Sequence, residues 1–178
     1  MASLLSHPAV PLAIAAAGGR DAVPPRLMLA ACAASVVPDA DALGYWAGVP
    51  YDAPLGHRGF THSFVFAALM AAGAAAFARR LGASRASTFA VVFLAGASHG
   101  LLDALTTGGL GVAFFSPFSN ERYFLPWRVI AVSPIGVGSF FSERGLRILR
   151  SELEWIWAPC AALAAAGLGL RRILTKQR

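Results

Sequence analysis

Three long apolar segments dominate this amino-acid sequence: residues 60–78, 87–106 and 154–172. Each is close to the roughly 20 apolar residues with which a helix crosses the hydrocarbon core of a bilayer. Of the 178 residues in the chain, 57% are hydrophobic and only 13% are charged, which is about half the charged fraction of a soluble domain. The sequence therefore predicts an integral membrane protein that forms a single domain over residues 1–178.

Two shorter apolar stretches, residues 8–17 and 26–37, precede these segments. Pro8 and Pro25 suit the first turn of a helix, where the missing backbone N–H is not needed. We therefore expect an all-α membrane protein with about five transmembrane helices. A re-entrant hairpin of the first two helices is the alternative, but it would bury charged residues such as Arg20 at mid-membrane, which is costly.

The basic residues near the predicted helix ends indicate how the chain lies in the membrane. With five crossings, nine of them fall on one side, accompanied by the single acid Asp21. The positive-inside rule assigns that side to the cytoplasm, so the net charge of +6 reflects topology and does not predict nucleic-acid binding. The nine residues are Arg20, Arg26, Arg79, Arg80, Arg85, Arg171, Arg172, Lys176 and Arg178.

A long segment, residues 107–153, separates the fourth and fifth predicted helices on the opposite side of the membrane. Its stretch "FFSPFSNERYFLPWRVIAVSPIG" is rich in aromatic residues and prolines, which is typical of a cap at the membrane interface. In "SERGLRILRSELEW" apolar and charged residues fall on different helical faces, and Ser142 is a suitable N-cap. We therefore expect an interfacial cap and a short amphipathic helix between helices four and five.

All four histidines of the chain lie at predicted outer helix ends. In "SHGLLD" a spacing of four residues places His99 and Asp103 on one helical face, as a pair of metal ligands requires. "HRGFTHS" places two more histidines at the start of the third helix, and "PDAD" supplies two aspartates after the second. Each motif alone is weak, but together they converge at one depth. The candidate ligands are His7, Asp39, Asp41, His57, His62, His99 and Asp103.

The chemistry of these ligands indicates which ions they would bind. Imidazole and carboxylate groups suit Zn²⁺, Mn²⁺ or Fe²⁺ and do not suit Cu(I). Seven candidates exceed what one tetrahedral ion takes, but they match two ions that share a carboxylate and keep positions open for water. We therefore predict a divalent-metal site, with Zn²⁺ as the first choice and two ions, on the outer rim of the helix bundle.

The motifs "SHP", "PDAD", "HRGFTHS", "SHGLLDALTTGG" and "SPFSNERYFLPWR" together resemble the bacterial YdjM-like membrane proteins. The resemblance extends over about residues 4–172, and the HRGxTHS and HxxLD blocks are its most specific parts. It implies a metal-dependent hydrolase in the inner membrane, under LexA control in some members, but it supplies no substrate. One departure is Val129, which follows Arg128 where we expect a proline, and it affects no candidate ligand.

Three arginines on the predicted outer side, Arg58, Arg122 and Arg128, favour an anionic substrate group. Ion pairs with nearby glutamates are an equally good interpretation of each one alone. Because metal-activated water can attack a phosphoryl group, we predict hydrolysis of a lipid-like phosphoester, reached from the bilayer and aided by these arginines. Glu152, near the start of the fifth helix, is a candidate general base or further ligand, although capping that helix is the commoner role.

Two other classes of function remain as alternatives. A membrane amidase or peptidase would use the same ions on a carbonyl group. A divalent-metal transporter or sensor would carry polar ligands through the depth of the membrane, whereas the inner halves of these helices consist of alanine, leucine, valine and phenylalanine. The expected partners are therefore the lipid bilayer and a lipid-like small molecule, and the sequence leaves the oligomeric state open.

Overall fold

The computed structural model of the chain describes residues 1–133 and 142–177, apart from the side chain of Tyr45. Within these residues the regular elements are all helical, and β-structure is limited to isolated bridges. The predicted all-α class is therefore confirmed. The helices are α1 (Ala9–Ala22), α2 (Pro25–Ala34), α3 (Ala42–Trp46), α4 (Phe64–Ala76), α5 (Ala78–Leu81), α6 (Arg85–Ala104), α7 (Glu143–Glu152) and α8 (Ala158–Lys176).

The basic residues near the helix ends lie together at one end of the molecule, where the helices contact each other. Arg26 Nη1 donates a hydrogen bond to the carbonyl of Arg80 at 3.3 Å, and Arg171 Nη1 donates to the carbonyl of Ala16 at 3.5 Å. The α1–α2 turn, the end of α5 and the last turns of α8 therefore lie side by side. The histidines belong to the opposite ends of the same helices.

Within residues 1–133 and 142–177, three helical stretches are long and apolar enough to cross a membrane: Pro25–Gly44, Arg85–Ala104 and Glu143–Lys176. The sequence predicted about five, but α1 and α4 have only 14 and 13 residues. Gly19 has a non-helical backbone (φ +75°) that interrupts α1 near its end. The second predicted helix is longer than expected, because the 3-10 turn Val37–Asp41 continues α2 into α3.

Helix α4 begins later than the apolar segment that contains it. Ser63 Oγ accepts a hydrogen bond from the backbone N–H of Phe66 at 3.1 Å, which caps the helix at this point. The residues before the cap, Phe60–His62, form a 3-10 turn. The His62 side chain therefore extends from a turn ahead of the helix, where it can face a neighbouring element.

Small residues bring α4 and α6 close together. A Cβ atom on Gly96 would lie 3.1 Å from the Cβ of Ala67, so only a glycine fits here without a shift. Ala71 and Ala95 are fully buried in the adjoining apolar core. Because the two helices approach so closely, the ends that carry the candidate ligands are also held close to each other.

The predicted amphipathic helix is present, and Ser142 caps it as expected: its Oγ accepts a hydrogen bond from the backbone N–H of Gly145 at 3.4 Å. The predicted boundary before the fifth helix is wrong, however. The π-helical turn Leu153–Trp157 joins α7 directly to α8, which gives one helical stretch of 34 residues. A π-turn inserts an extra residue into a helix without ending it.

The described part of the predicted cap, residues 107–133, has no regular helix or strand. Residues 134–141, which the cap was also expected to include, lie outside the described residues. The backbone N–H of Ala113 donates a hydrogen bond to the carbonyl of Arg58 at 3.0 Å. The cap therefore packs against the segment that leads into α4.

Candidate metal centre

One ligand atom from each of four buried side chains, Asp39, His62, His99 and Asp103, lies within 4.8 Å of the other three. The Nε2 atoms of His62 and His99 are 2.9 Å apart. Asp39 Oδ1 lies 3.7 Å from Nε2 of His62 and 3.5 Å from Nε2 of His99, and Asp103 Oδ2 lies 3.5 Å from Nε2 of His62. Ligands about 2.0–2.1 Å from a tetrahedral ion stand roughly 3.3 Å apart, so this cluster fits such an ion.

Asp39 gives the clearest sign that the cluster suits a cation. Its side chain is 1% exposed, and neither carboxylate oxygen has a hydrogen-bond partner among the residues that the structure describes. A buried carboxylate that makes no hydrogen bond is costly, and the nearest polar groups to Asp39 are the rings of three histidines at 3.5–3.7 Å. Coordination of a divalent ion by these oxygens would remove that cost.

Polar partners at Nδ1 orient both histidines of the cluster. His62 Nδ1 lies 3.2 Å from Asp41 Oδ2, and His99 Nδ1 lies 2.8 Å from the backbone carbonyl oxygen of Ser35. Thr61 Oγ1 donates a hydrogen bond to Asp41 Oδ2 at 2.6 Å and so fixes that carboxylate. A hydrogen bond at Nδ1 leaves the lone pair of Nε2 available, and such supporting partners are typical of metal-binding histidines.

Asp41 and His57, both predicted as ligands, lie beside the cluster. Asp41 Oδ1 is 2.6 Å from Nδ1 of His57, and these two residues form with His62 a second group that could hold an ion. His57 Nε2 is buried and has no hydrogen-bond partner in residues 1–133 and 142–177. Asp41 therefore supports two histidines at once, through its two oxygens.

His7 approaches the carboxylates of the cluster from their other side. Its ring stacks on that of His99, with the centroids 3.8 Å apart. His7 Nε2 lies 3.7 Å from Asp39 Oδ2 and 3.8 Å from Asp103 Oδ1. Each carboxylate therefore presents one oxygen to His62 and the other to His7, as a carboxylate shared by two ions does.

Burial and charge act in opposite directions on two of these histidines. Burial, together with the neighbouring His99, lowers the pKa of His7 to about 3, so this ring is neutral, as a ligand must be. Burial alone would also lower the pKa of His62, but the surrounding carboxylates, with Asp103 first, raise the pKa to about 10. The carboxylates thus favour a positive charge at His62, where a proton and a metal ion compete.

Gly100 allows the turn that carries His62 to approach α6. A Cβ atom at this position would lie 2.8 Å from the carbonyl oxygen of His62 and 3.3 Å from the ring of Phe114. Because the glycine directly follows His99, the absence of its side chain sets the distance between the two histidines.

Replacing Gly100 by alanine should therefore weaken metal binding. The added methyl group pushes the His62 turn away from α6, and we expect an affinity loss of about 10–100-fold, the scale seen when a supporting contact of a metal site is removed. Metal titration of the purified, metal-free protein measures it. Gly73→Ala, in the middle of α4, is the matched control, since its Cβ would meet nothing within 4 Å. An equal loss in both variants would contradict this role of Gly100.

Arg58 is fully buried, and all three guanidinium nitrogens donate hydrogen bonds to protein acceptors. Nε donates to Asp103 Oδ2 at 3.1 Å, Nη1 to the carbonyl of Gly108 at 2.9 Å and Nη2 to Thr106 Oγ1 at 2.9 Å. A Cβ atom on Gly109 would lie 2.6 Å from Nη1, so a glycine leaves room for the guanidinium. Arg58 thus orients a carboxylate of the cluster, and its action on a substrate stays a prediction.

The two other predicted arginines lie in the cap. Arg122 is half-buried, and it donates to the backbone carbonyls of His57 at 2.9 Å and Tyr51 at 3.1 Å, so it braces the loop ahead of α4. Arg128 is exposed, and its guanidinium carbon lies 3.9 Å from the centroid of the Phe124 ring. The cluster of four ligand atoms includes neither arginine.

Glu152 is buried and binds the N-terminal segment of the chain. It accepts hydrogen bonds from Ser3 Oγ at 2.5 Å and Ser6 Oγ at 2.8 Å, and also from the backbone N–H of Ser3. Trp157 Nε1 donates to Ser6 Oγ at 3.0 Å. The expected capping of a fifth helix is wrong, because α7 continues into α8 at this point. Since Ser6 precedes His7, Glu152 instead helps to position that histidine.

The sequence also matches known proteins. The model of the YdjM inner membrane protein family matches residues 1–177. The chain belongs to the YdjM inner membrane protein family. The inner membrane protein YbcI of Escherichia coli (strain K12) is 42% identical over 162 residues, which cover 89% of this chain and 92% of that protein. No solved structure matches the chain.

The YdjM resemblance that the motifs predicted is thus confirmed over nearly the whole chain. Some supporting residues of this YdjM-family site were not foreseen. Ser35 contributes only its backbone carbonyl, so no side-chain pattern could have revealed it. Thr61 and Ser6 each stand next to a histidine, in "THS" and "SHP", and a hydroxyl adjacent to a candidate ligand was the available signal.

Proposed function

We propose that this YdjM-family protein is a metal-dependent hydrolase that cleaves a lipid-like phosphoester on the extracytoplasmic side of the inner membrane. One observation carries the proposal: Asp39 and Asp103 each turn one oxygen towards His62 and the other towards His7, at 3.5–3.8 Å. Carboxylates shared in this way support a pair of ions, and paired ions are typical of enzymes that hydrolyse phosphoesters.

The donor atoms divide into two sets. Nε2 of His62 and of His99 would hold the first ion, with one oxygen each from Asp39 and Asp103. His7 Nε2 and the remaining two carboxylate oxygens would hold the second, and three protein donors leave a position for water or substrate, as in catalytic zinc sites. Zn²⁺ suits both sets, and Mn²⁺ or Fe²⁺ accept the same ligands. Bound there, such ions polarise a phosphoryl oxygen and lower the pKa of water.

In this proposal His57 carries a proton instead of binding an ion. Asp41 Oδ1 holds its Nδ1 at 2.6 Å, so the neutral ring presents Nε2 as the acceptor. The ring centroid lies 5.3 Å from that of His62, close to the proposed ions. His57 accepts a proton from the attacking water at Nε2, while Asp41 keeps the ring in the required tautomer.

The arginines take two different roles in the proposal. Arg58 acts through Asp103, since its Nε holds Oδ2 at 3.1 Å and fixes the direction of a shared carboxylate. Arg128 is exposed, with its Nε donating to the carbonyl of Thr106 at 3.0 Å. Its remaining donors can meet an anionic head group at the membrane surface.

A structural metal centre is the second candidate function. Two observations favour it: the cluster is buried, and its four protein donor atoms would match the number of ligands in a closed structural zinc site. A structural ion would stabilise the fold without supporting turnover, so activity separates the two candidates.

Phosphate release from phosphatidic acid in detergent, measured on protein of known metal content, tests the proposal. We expect release that stops on chelation and returns with Zn²⁺ or Mn²⁺. His57→Gln should keep its metal and lose about 10²-fold or more in turnover, because the amide cannot accept the proton. Tyr51→Phe is the matched control: the ring contacts His57 edge-on at 5.2 Å, and the variant keeps that contact.

Two results would contradict the proposal. Hydrolysis of acyl amides without phosphate release from any lipid phosphoester would assign the site to carbonyl chemistry. A metal-loaded wild type that unfolds more readily after chelation, but hydrolyses neither class of substrate, would establish the structural centre instead.

Cysteine labelling tests the side of the membrane on which the site lies. In a background without Cys32 and Cys160, single cysteines replace Asp52, on the loop beside the site, and Asp21, at the basic end; both positions are exposed. Because basic residues remain in the cytoplasm, an impermeant thiol reagent should label Asp52→Cys in intact cells and Asp21→Cys only after lysis. The reverse pattern would place the site on the cytoplasmic side.

A further inference from the structure

An apolar groove of about 550 Å³ opens beside the metal cluster. The segment from α2 through the 3-10 turn to α3 forms one wall, and the N-terminal segment contributes Leu4 to the other. Its large apolar side chains are strongly exposed, from 44% for Val37 to 63% for Leu43 and 67% for Trp46. The volume lies within the range of about 300–1,000 Å³ that is typical of small-molecule pockets.

Asp39 joins this groove to the cluster. The residue is part of the groove wall, and its two carboxylate oxygens face the positions of the proposed ions. Ala2 donates its backbone N–H to Asp103 Oδ1 at 2.6 Å, whereas Leu4, two residues later, lines the groove. The N-terminal segment therefore touches a candidate ligand on one side and the groove on the other.

The sequence around the groove also suits a position near the membrane–water interface. Most of its wall belongs to the candidate span Pro25–Gly44, which would face lipid chains. Trp46 follows that span directly, and tryptophan is enriched at the membrane–water interface. The groove is apolar along its length and borders a polar cluster. It therefore suits an amphiphile whose hydrocarbon chain lies in the groove and whose polar head lies at the cluster.

We propose that the groove holds one acyl chain of the substrate while the phosphate head of the same molecule lies at the metal cluster, an inference that rests on the proposed function. Two divalent ions held by the carboxylates of Asp39 and Asp103 would leave a net positive site, which attracts an anionic head group. The groove has the size of one small ligand, so it takes a single acyl chain and not a much longer polyprenyl chain.

A larger cleft, of about 740 Å³, lies at the basic end of the molecule and is lined by Arg79, Arg80 and Arg85. Its lining includes no residue of the cluster, and its apolar residues are Phe77 and three alanines. It therefore does not supply the combination of a hydrocarbon surface and a metal site that the proposed substrate needs.

Photo-crosslinking of the metal-loaded protein tests the groove without requiring turnover. The probe is phosphatidic acid with a diazirine at the end of one acyl chain, and mass spectrometry locates the labelled peptides. We expect labelling to concentrate on the segment from Val37 to Trp46. Ala33 is part of the groove wall, so the larger side chain of Ala33→Phe should fill the groove and remove most of this labelling. Ala165→Phe, at an exposed position on α8, is the matched control and should leave the labelling unchanged.

Kinetics with two chain lengths provide the second measurement. Ala33→Phe should raise KM for long-chain phosphatidic acid by about 10-fold or more, the scale on which a pocket discriminates apolar groups, and should raise KM for the dibutyryl form much less. Labelling spread equally over α8 and the groove, and insensitive to Ala33→Phe, would overturn the inference. Preferential labelling by a polyprenyl phosphate probe would also overturn it.

The two proposals can fail separately. Groove labelling that Ala33→Phe removes, in a protein that releases no phosphate, supports the binding groove and contradicts the hydrolase. Phosphate release that depends on neither chain length nor Ala33→Phe supports the hydrolase and contradicts the groove.

Discussion

Asp39→Asn protein should contain almost no divalent metal after purification, while its metal-free fold should stay close to the wild type in stability. The carboxylate would bind both proposed ions, so its loss removes a ligand from each. Without metal, its two buried oxygens make no hydrogen bond among the described residues and lie 3.5–3.7 Å from the rings of His7, His62 and His99. A neutral amide of the same shape loses these ion-pair contacts but avoids the cost of a buried charge, and these two contributions oppose each other. Elemental analysis and thermal unfolding with and without chelator measure the two effects.

The response to added metal makes this prediction quantitative. The wild type should gain about 4 kcal/mol in free energy of unfolding when the free metal is roughly 1,000 times its dissociation constant, whereas Asp39→Asn should gain almost nothing. Asp103→Asn is the matched control: it also loses metal, but it leaves Arg58 buried without its carboxylate and should therefore be destabilised even without metal. Full metal occupancy in Asp39→Asn would contradict the assignment of the cluster.

Local sequence patterns predicted the residues that form the cluster. The spacing of His99 and Asp103 fixes their common face wherever the helix forms, and both belong to the cluster. The same reasoning placed His62 at a helix mouth, where the structure has a turn and a cap at Ser63. These features depend on neighbouring residues along the chain, so they can be predicted from one sequence.

Contacts between distant parts of the chain could not be predicted in this way. The partner of Arg58 is 45 positions away, at Asp103, and the hydroxyl of Ser3 binds Glu152, 149 positions later. A sequence shows that such groups are charged or polar, but not which buried acceptor each one meets. The same limit explains why the sequence did not show that Arg58 binds Asp103 or that Glu152 binds Ser3. The predicted action of Arg58 on a substrate, and of Glu152 as a general base or further ligand, stays a prediction.

Replacing Arg58 by methionine should make folding depend on metal. The guanidinium is the charged hydrogen-bond donor to Asp103 Oδ2, at 3.1 Å, and both side chains are 0% exposed. Methionine keeps much of the buried volume but removes one partner of a buried ion pair, a change that costs about 3–5 kcal/mol. A bound ion would compensate part of the remaining charge. Chelation should therefore unfold Arg58→Met at temperatures where the metal-free wild type stays folded, as followed by circular dichroism in detergent.

Two further variants distinguish loss of this ion pair from a general loss of hydrogen bonds. Arg122→Met removes a half-buried guanidinium that donates to backbone carbonyls, at 2.9 Å for His57, so it should cost stability equally with and without metal. Arg58→Lys keeps the charge but lacks the planar guanidinium that donates to Asp103 and Thr106 at once. It should therefore recover only part of the lost stability. If Arg58→Met unfolds with the wild-type midpoint in chelator, Asp103 does not depend on this arginine. The shared carboxylate would then need another residue to fix its direction.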